Sequence, residues 1–206
     1  MPDADPRGEP AVPLRRSERR RAAERTAPGP RVVHEAIRRQ GEEELARPSH
    51  ALFWSGVAAG LSMGFSLVGE AVLEAALPPA AWRPVVAKLG YSLGFVFVVL
   101  GRQQLFTETT LTAVLPLLVA PSRKRFFQVA RVWGVMLAAN VLGALLFALA
   151  LEPAGLFTPE QRRTLAEIGA RALAPGPAMV LVRGVFGGWL IARMVWLLPA
   201  SAGSRF

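Results

Sequence analysis

The chain has 206 residues, 52% of them hydrophobic, a formal net charge of +9 and no cysteine, which excludes disulfides and cysteine metal sites. Both histidines, His34 and His50, precede the first long apolar run, so no metal, haem or other cofactor is expected. Residues 1–50 carry 11 Arg against 9 Asp+Glu, and residues 51–206 carry 13 Lys+Arg against 6 Asp+Glu, with the surplus at the ends of apolar runs. That placement is a membrane orientation signal and argues against a nucleic-acid partner.

Residues 1–48 read as a basic cytoplasmic tail. Met1 to about Pro30 is rich in Pro, Arg, Ala and Glu, too poor in large apolar residues to offset chain entropy, and is expected to be disordered. The same composition does not pattern as a cleavable secretory signal. Val32 to Ala46 has helical apolar spacing through Val33, Ala36 and Ile37 and is expected to form a short interfacial helix that stops before Pro48.

Residues 51–206 read as the transmembrane domain, with spans at about 51–77, 89–119, 126–151 and 177–198. In the first span, Gly56, Gly60 and Gly64 fall four apart, aligned on one face where another helix backbone can approach. Glu70 and Glu74 lie one turn apart near its far end, where carboxylates reach headgroup water. Leu77-Pro78-Pro79 stops the helix. The third span contains 20 uncharged residues, Val132 to Leu151, enough to cross the hydrocarbon. A polar linker with an amphipathic helix over Pro159–Leu173 leads to the fourth span. Placing the N-terminus inside puts Arg38, Arg39, Arg47, Arg123, Lys124 and Arg125 on the cytoplasmic side.

The second span is the informative one. Leu89 to Val119 is 31 residues, about 46 Å as one helix against a hydrocarbon core of about 30 Å. Arg102 and Glu108 lie near its middle, where a lipid-facing charge is costly. The segment is therefore expected to break near residues 101–109 into two half-helices, Leu89–Leu100 and Thr110–Val119, with Gly101 freeing the backbone and Thr109 or Thr110 capping the second half. Half-helix ends inside a membrane protein build ion and solute sites.

LFT at Leu105-Phe106-Thr107, followed by a Thr-rich apolar stretch, resembles the broken second span of the formate/nitrite transporter family. Ala139-Asn140-Val141-Leu142-Gly143-Ala144 resembles that family's pattern in its third span, and Arg183-Gly184-Val185-Phe186-Gly187-Gly188-Trp189-Leu190-Ile191 its pattern in the fourth. GLSMGFSLVGE and LGRQQLFTETTLTAVLPLL are similar to a poorly characterised subgroup. The resemblance covers about Ala51 to Leu198. It implies an all-α integral membrane protein, here a partial aquaporin-like bundle of four spans, assembled as a homo-pentamer in the inner membrane of a prokaryote. It implies a pore for small monovalent weak-acid anions, with Leu105 and Phe106 as the apolar constriction. Thr107 would be the polar loop residue facing a central histidine. A dry constriction rejects a bare anion through its desolvation cost.

The chain departs from that pattern. The family has six spans, and its central histidine sits on a broken fifth span that this sequence lacks, so a truncated chain is expected. Gly188 stands where the family has asparagine, and a lysine upstream of the fourth span has no counterpart. Glu108 adds a negative charge beside the implied anion path. Arg102 and Glu108 are expected to lie on the substrate path or to pair with each other or with another helix. Arg183 is read as an inter-helix tie or a substrate contact, and Asn140 as a bond to a neighbouring helix or to substrate. No catalytic constellation assembles, so an enzyme is not expected. A membrane scaffold that docks through its glycine face, or a non-transporting remnant, is the competing reading.

Overall fold

The structure is a computed structural model that describes residues 15–17, 29–151 and 155–201. Most of the tail expected to be disordered, and Glu152 to Ala154 of the linker, lie outside the described residues. Among the described residues the chain is helical with no strand, and four helices are long and apolar enough to cross a membrane. It is an all-α integral membrane protein.

Helix α1 (Pro30–Ala46) starts with Pro at its first position and buries Val33, Ile37, Gly41, Glu44 and Leu45, a stripe at helical spacing. Arg38 ion-pairs with Glu35 and Glu42 on the outer face, and Arg39 reaches Glu35 as well. Hydrogen bonds from Arg38 and Arg39 hold the Glu35 carboxyl well below the usual range, at about 2. The helix docks on the rest of the bundle. Val33 and Ile37 pack with Val195, Leu111 and Leu115, and a methyl group at Gly41 would stand 2.0 Å from the Thr112 carbonyl oxygen.

Helix α2 (Ser49–Ala76) follows directly after Pro48 and is the central element. One face meets α5 (Arg123–Leu151) through the predicted glycine row. A methyl at Gly56 would come within 2.8 Å of Ala139 Cβ, at Gly60 within 2.3 Å of the Asn140 carbonyl, and at Gly64 within 2.1 Å of the Phe147 ring. Gly143 returns the contact at 2.3 Å from the Val57 carbonyl. A second close face, unread in the sequence, meets α3 (Arg83–Leu100) through Ser66, Gly69, Gly90 and Gly94.

Helix α3 begins six residues before its expected start. Pro84 suits a first turn, and the charges that discouraged an earlier start have partners: Arg83 Nε donates to the Glu74 carbonyl, and Lys88 Nζ bonds Glu70 Oε1. Its 18 residues rise about 27 Å, and the break follows at residues 101–105, near the middle of the apolar stretch as expected. Helix α4 (Phe106–Val119) resumes after the break and packs on α1 and α5.

Helix α6 (Pro159–Leu173) opens with a capping box in which Thr158 Oγ1 accepts from the Gln161 amide and Gln161 Oε1 from the Thr158 amide. It lies against the far end of α2, where Arg171 makes a two-pronged ion pair with Glu74 at 2.8–3.1 Å. Helix α7 (Pro177–Ser201) touches α1 and α4 only through its later turns, at Ile191, Val195 and Trp196. Residues 177–190 are exposed along their whole length.

Candidate functional site

The break starts with a helix C-terminus of defined form. The Gln103 amide donates to the Val98 carbonyl at 3.0 Å and the Arg102 amide to the Val99 carbonyl at 3.2 Å, the paired bonds of a Schellman turn. The left-handed residue that this turn needs is Arg102, at φ 47°. Gly101, expected to free the backbone, is helical at φ −76° and ψ −3°. A non-glycine side chain in this region costs about 1–2 kcal/mol, which the surrounding contacts must offset.

Asn140 on α5 supplies most of those contacts. Its Oδ1 accepts from the Phe106 amide at 2.7 Å, and its Nδ2 donates to the Gly56 carbonyl at 2.8 Å and the Gln104 carbonyl at 3.0 Å. One side chain thus joins α2, α5 and the backbone of the break. It also corrects the expected start of the second half-helix. No side chain of Thr109 or Thr110 caps it. The helix begins at Phe106, four residues sooner than expected, because Asn140 satisfies its first free amide from outside. Thr109 Oγ1 donates back to the Leu105 carbonyl, and Thr110 Oγ1 to the Thr107 carbonyl.

Gln104 is the second fastening. Its amide donates to Ser55 Oγ at 3.1 Å, and its Nε2 to Glu44 Oε1 at 2.8 Å. Glu44 is 7% exposed and also faces Arg47 at 3.4 Å. The sequence reading missed this pair. A signal was present, since Glu44 stands on the apolar stripe of α1 where an unpartnered carboxylate is costly.

Beside the break lies a cavity of about 1130 Å³, walled by Gln103, Gln104, Glu108, Thr109 and Thr112 from the break and by α1 residues including Glu44. The residues of the expected constriction lie off this wall. Leu105 is buried against Ala59 and Val98, Phe106 packs edge-on to Trp133 with ring centroids 6.3 Å apart, and Thr107 is exposed. Arg102 and Glu108 both line the cavity, but no ion pair within 4 Å joins them. Arg183 belongs to the exposed stretch of α7, and no partner for it is found among the described residues. Gly184, Gly187 and Gly188 beside it have open space around them.

The two glutamates read as reaching headgroup water do something else. Glu70 is 1% exposed and Glu74 8%, and each is ion-paired, Glu70 to Lys88 and Glu74 to Arg171. The close approach of Gly69 to Gly90 brings α3 near enough for Lys88 to reach. Arg125, read as an orientation signal, also closes a helix end by donating to the Pro116 carbonyl, and Arg131 does the same at the Leu45 carbonyl.

The fold and site together define a class: all-α membrane bundles with a discontinuous apolar helix, the broken backbone held by side chains beside a polar cavity. The family model for formate/nitrite transporter matches residues 31–204. The chain is also 40% identical over 174 residues to inner membrane protein YfdC of Escherichia coli (strain K12), covering 84% of this chain and 56% of that protein. The chain therefore belongs to the formate/nitrite transporter family, and it spans a little over half the length of this relative.

Proposed function

We propose that this protein conducts small monovalent weak acids of the formate and nitrite type across the inner membrane of a prokaryote, with its N-terminus in the cytoplasm. The observation that carries the reading is the pinned break: Asn140 and Gln104 hold irregular backbone beside a cavity of about 1130 Å³, an arrangement that costs conformational freedom and gives packing nothing a continuous helix would lack. Leu105, Phe106 and Thr107 stay in the proposal as the residues that bound the path once further protein closes it. The exposed length of α7 supports such closure. An arginine, Arg183, in the middle of an apolar helix with no partner among the described residues is costly against lipid and calls for a protein neighbour, as a homo-oligomer would supply.

The test is solute uptake by proteoliposomes. Saturable formate or nitrite flux that falls at least tenfold in Asn140→Leu, with the protein still folded, supports the reading. Wild-type vesicles no more permeable than protein-free ones would sink it. One observation favours a second reading: the glycine-bearing bare face of α7 suits docking on another membrane protein without transport. Membrane integration with no flux is the outcome that reading requires.

A further inference from the structure

We propose that the turn between α4 and α5 is a binding site for an anionic phospholipid, with Arg123 and Lys124 on its phosphate and the groove beside them on its acyl chains. The site lies at the opposite end of α4 from the break, and the inference is independent of the transport reading.

Three residues, Ala120 to Ser122, join the end of α4 at Val119 to the start of α5 at Arg123. The turn is closed from within. The Ala120 amide donates to the Pro116 carbonyl at 3.2 Å, and Ser122 Oγ accepts from the Arg125 amide at 3.2 Å. Arg125 is engaged by protein as well, donating to the Pro116 carbonyl and facing Glu42 at 3.6 Å. The other two cations of the Arg123-Lys124-Arg125 run are not. Both are exposed, and neither has an ion-pair partner among the described residues. The sequence offers none nearby, since no Asp or Glu occurs between Glu108 and Glu152.

Beside these cations lies an open groove of about 560 Å³, walled by Leu117, Pro121, Ser122, Arg123, Phe126 and Phe127. Both phenylalanines are exposed, with ring centroids 5.8 Å apart, and so are Leu118 and Val119 on the other side of the turn. An exposed apolar patch of this kind marks a contact surface. A turn that joins two apolar helices of a membrane bundle falls where hydrocarbon gives way to headgroups. There Arg and Lys hold their charged ends at phosphate level while their stems cover apolar surface. The patch therefore calls for a ligand that is anionic at one end and apolar beside it. A free phosphate would leave the groove unfilled, and a nucleic acid would leave both phenylalanines in water. A phospholipid with a net negative headgroup meets both demands. In the orientation proposed above the turn faces the cytoplasmic leaflet, although binding itself does not depend on the side.

The experiment titrates the natural full-length protein, purified in a neutral detergent, with short-chain phosphatidylglycerol and counts bound lipid by native mass spectrometry. Phosphatidylcholine of the same chain length and glycerol 3-phosphate are the comparison ligands. Wild type is expected to bind phosphatidylglycerol saturably and at least tenfold more tightly than either. Arg123→Gln combined with Lys124→Gln is expected to lower that affinity at least tenfold, to the level of phosphatidylcholine. Should the double variant lose its helical circular dichroism, Lys124→Gln alone makes the comparison, with a loss of about fivefold. Equal affinity for the two lipids in wild type overturns the proposal, as does an affinity that the charge variants leave unchanged. Glycerol 3-phosphate bound as tightly as the lipid overturns it in favour of a free-anion site. Phe127→Cys that forms disulfides between copies whatever lipid is supplied overturns it in favour of a second copy of this chain.

Discussion

Asn140 concentrates the most consequence in a single side chain. Its amide uses one acceptor and two donors on three backbone groups, one from α2 and two from the break. Asn140→Leu would strand the Phe106 amide and the Gln104 carbonyl, each costing about 1–3 kcal/mol when unsatisfied. A loss of about 3 kcal/mol is expected, measurable as a lowered midpoint of unfolding in a detergent titration. An unchanged midpoint would show that the break holds itself. Arg102 predicts the opposite sign. Its left-handed backbone suits glycine, so Arg102→Gly is expected to stabilise the turn by about 1 kcal/mol in the same titration. A loss of stability instead would mean that the guanidinium makes a contact stronger than the strain.

At the scale of elements, α2 carries the bundle because it has two close-packing faces. Its contact with α5 leaves no room for a side chain at Gly60, where a methyl would stand 2.3 Å from the Asn140 carbonyl. Gly60→Ala is therefore expected to cost about 1–3 kcal/mol by overpacking, read again from unfolding, and to disturb the Asn140 clamp beside it. Gly134, on α5 itself, has open space, and Gly134→Ala is the control that should leave stability unchanged or slightly raised. The far end of α2 is fastened differently, by charge. The Glu74 carboxylate raises the pKa of Arg171, chiefly through their hydrogen bonds, and thereby holds α6 against the bundle. Glu74→Gln is expected to loosen α6 selectively, seen as faster amide exchange over Thr164 to Leu173 with α5 unchanged. Equal exchange in both helices would show that Ile168 packing alone holds α6.

For the whole molecule, the uneven burial of the helices is the chief constraint. Helices α2, α3 and α5 form the packed centre, with α3 and α5 both against α2, whereas residues 177–190 of α7 are exposed among the described residues. If copies of this chain close that face, a single cysteine at Gly187 in this otherwise cysteine-free chain should form disulfide-linked dimers in the membrane under mild oxidation. Only monomer, with the same cysteine freely labelled by a maleimide, would rule that contact out.

Amino-acid order alone determined the helical membrane class, the number of apolar helices, the existence of the break and the glycine row at Gly56, Gly60 and Gly64. These follow from local quantities: the length of an apolar run against a bilayer, the cost of a buried charge, and helical periodicity. The family was legible too, through Leu105-Phe106-Thr107 and the Asn140 segment. What only the tertiary structure decided was where the second half-helix begins and what holds the break. Thr110 looked like the cap, yet a residue 34 positions beyond Phe106 satisfies the amide. Gly101 looked like the pivot, yet Arg102 takes the left-handed turn. Glu70 and Glu74 looked solvated, yet they are buried and paired with cations from α3 and α6. In each case but the turn the deciding partner is distant in sequence, and hydrogen bonds and ion pairs between helices leave no local period by which to read them.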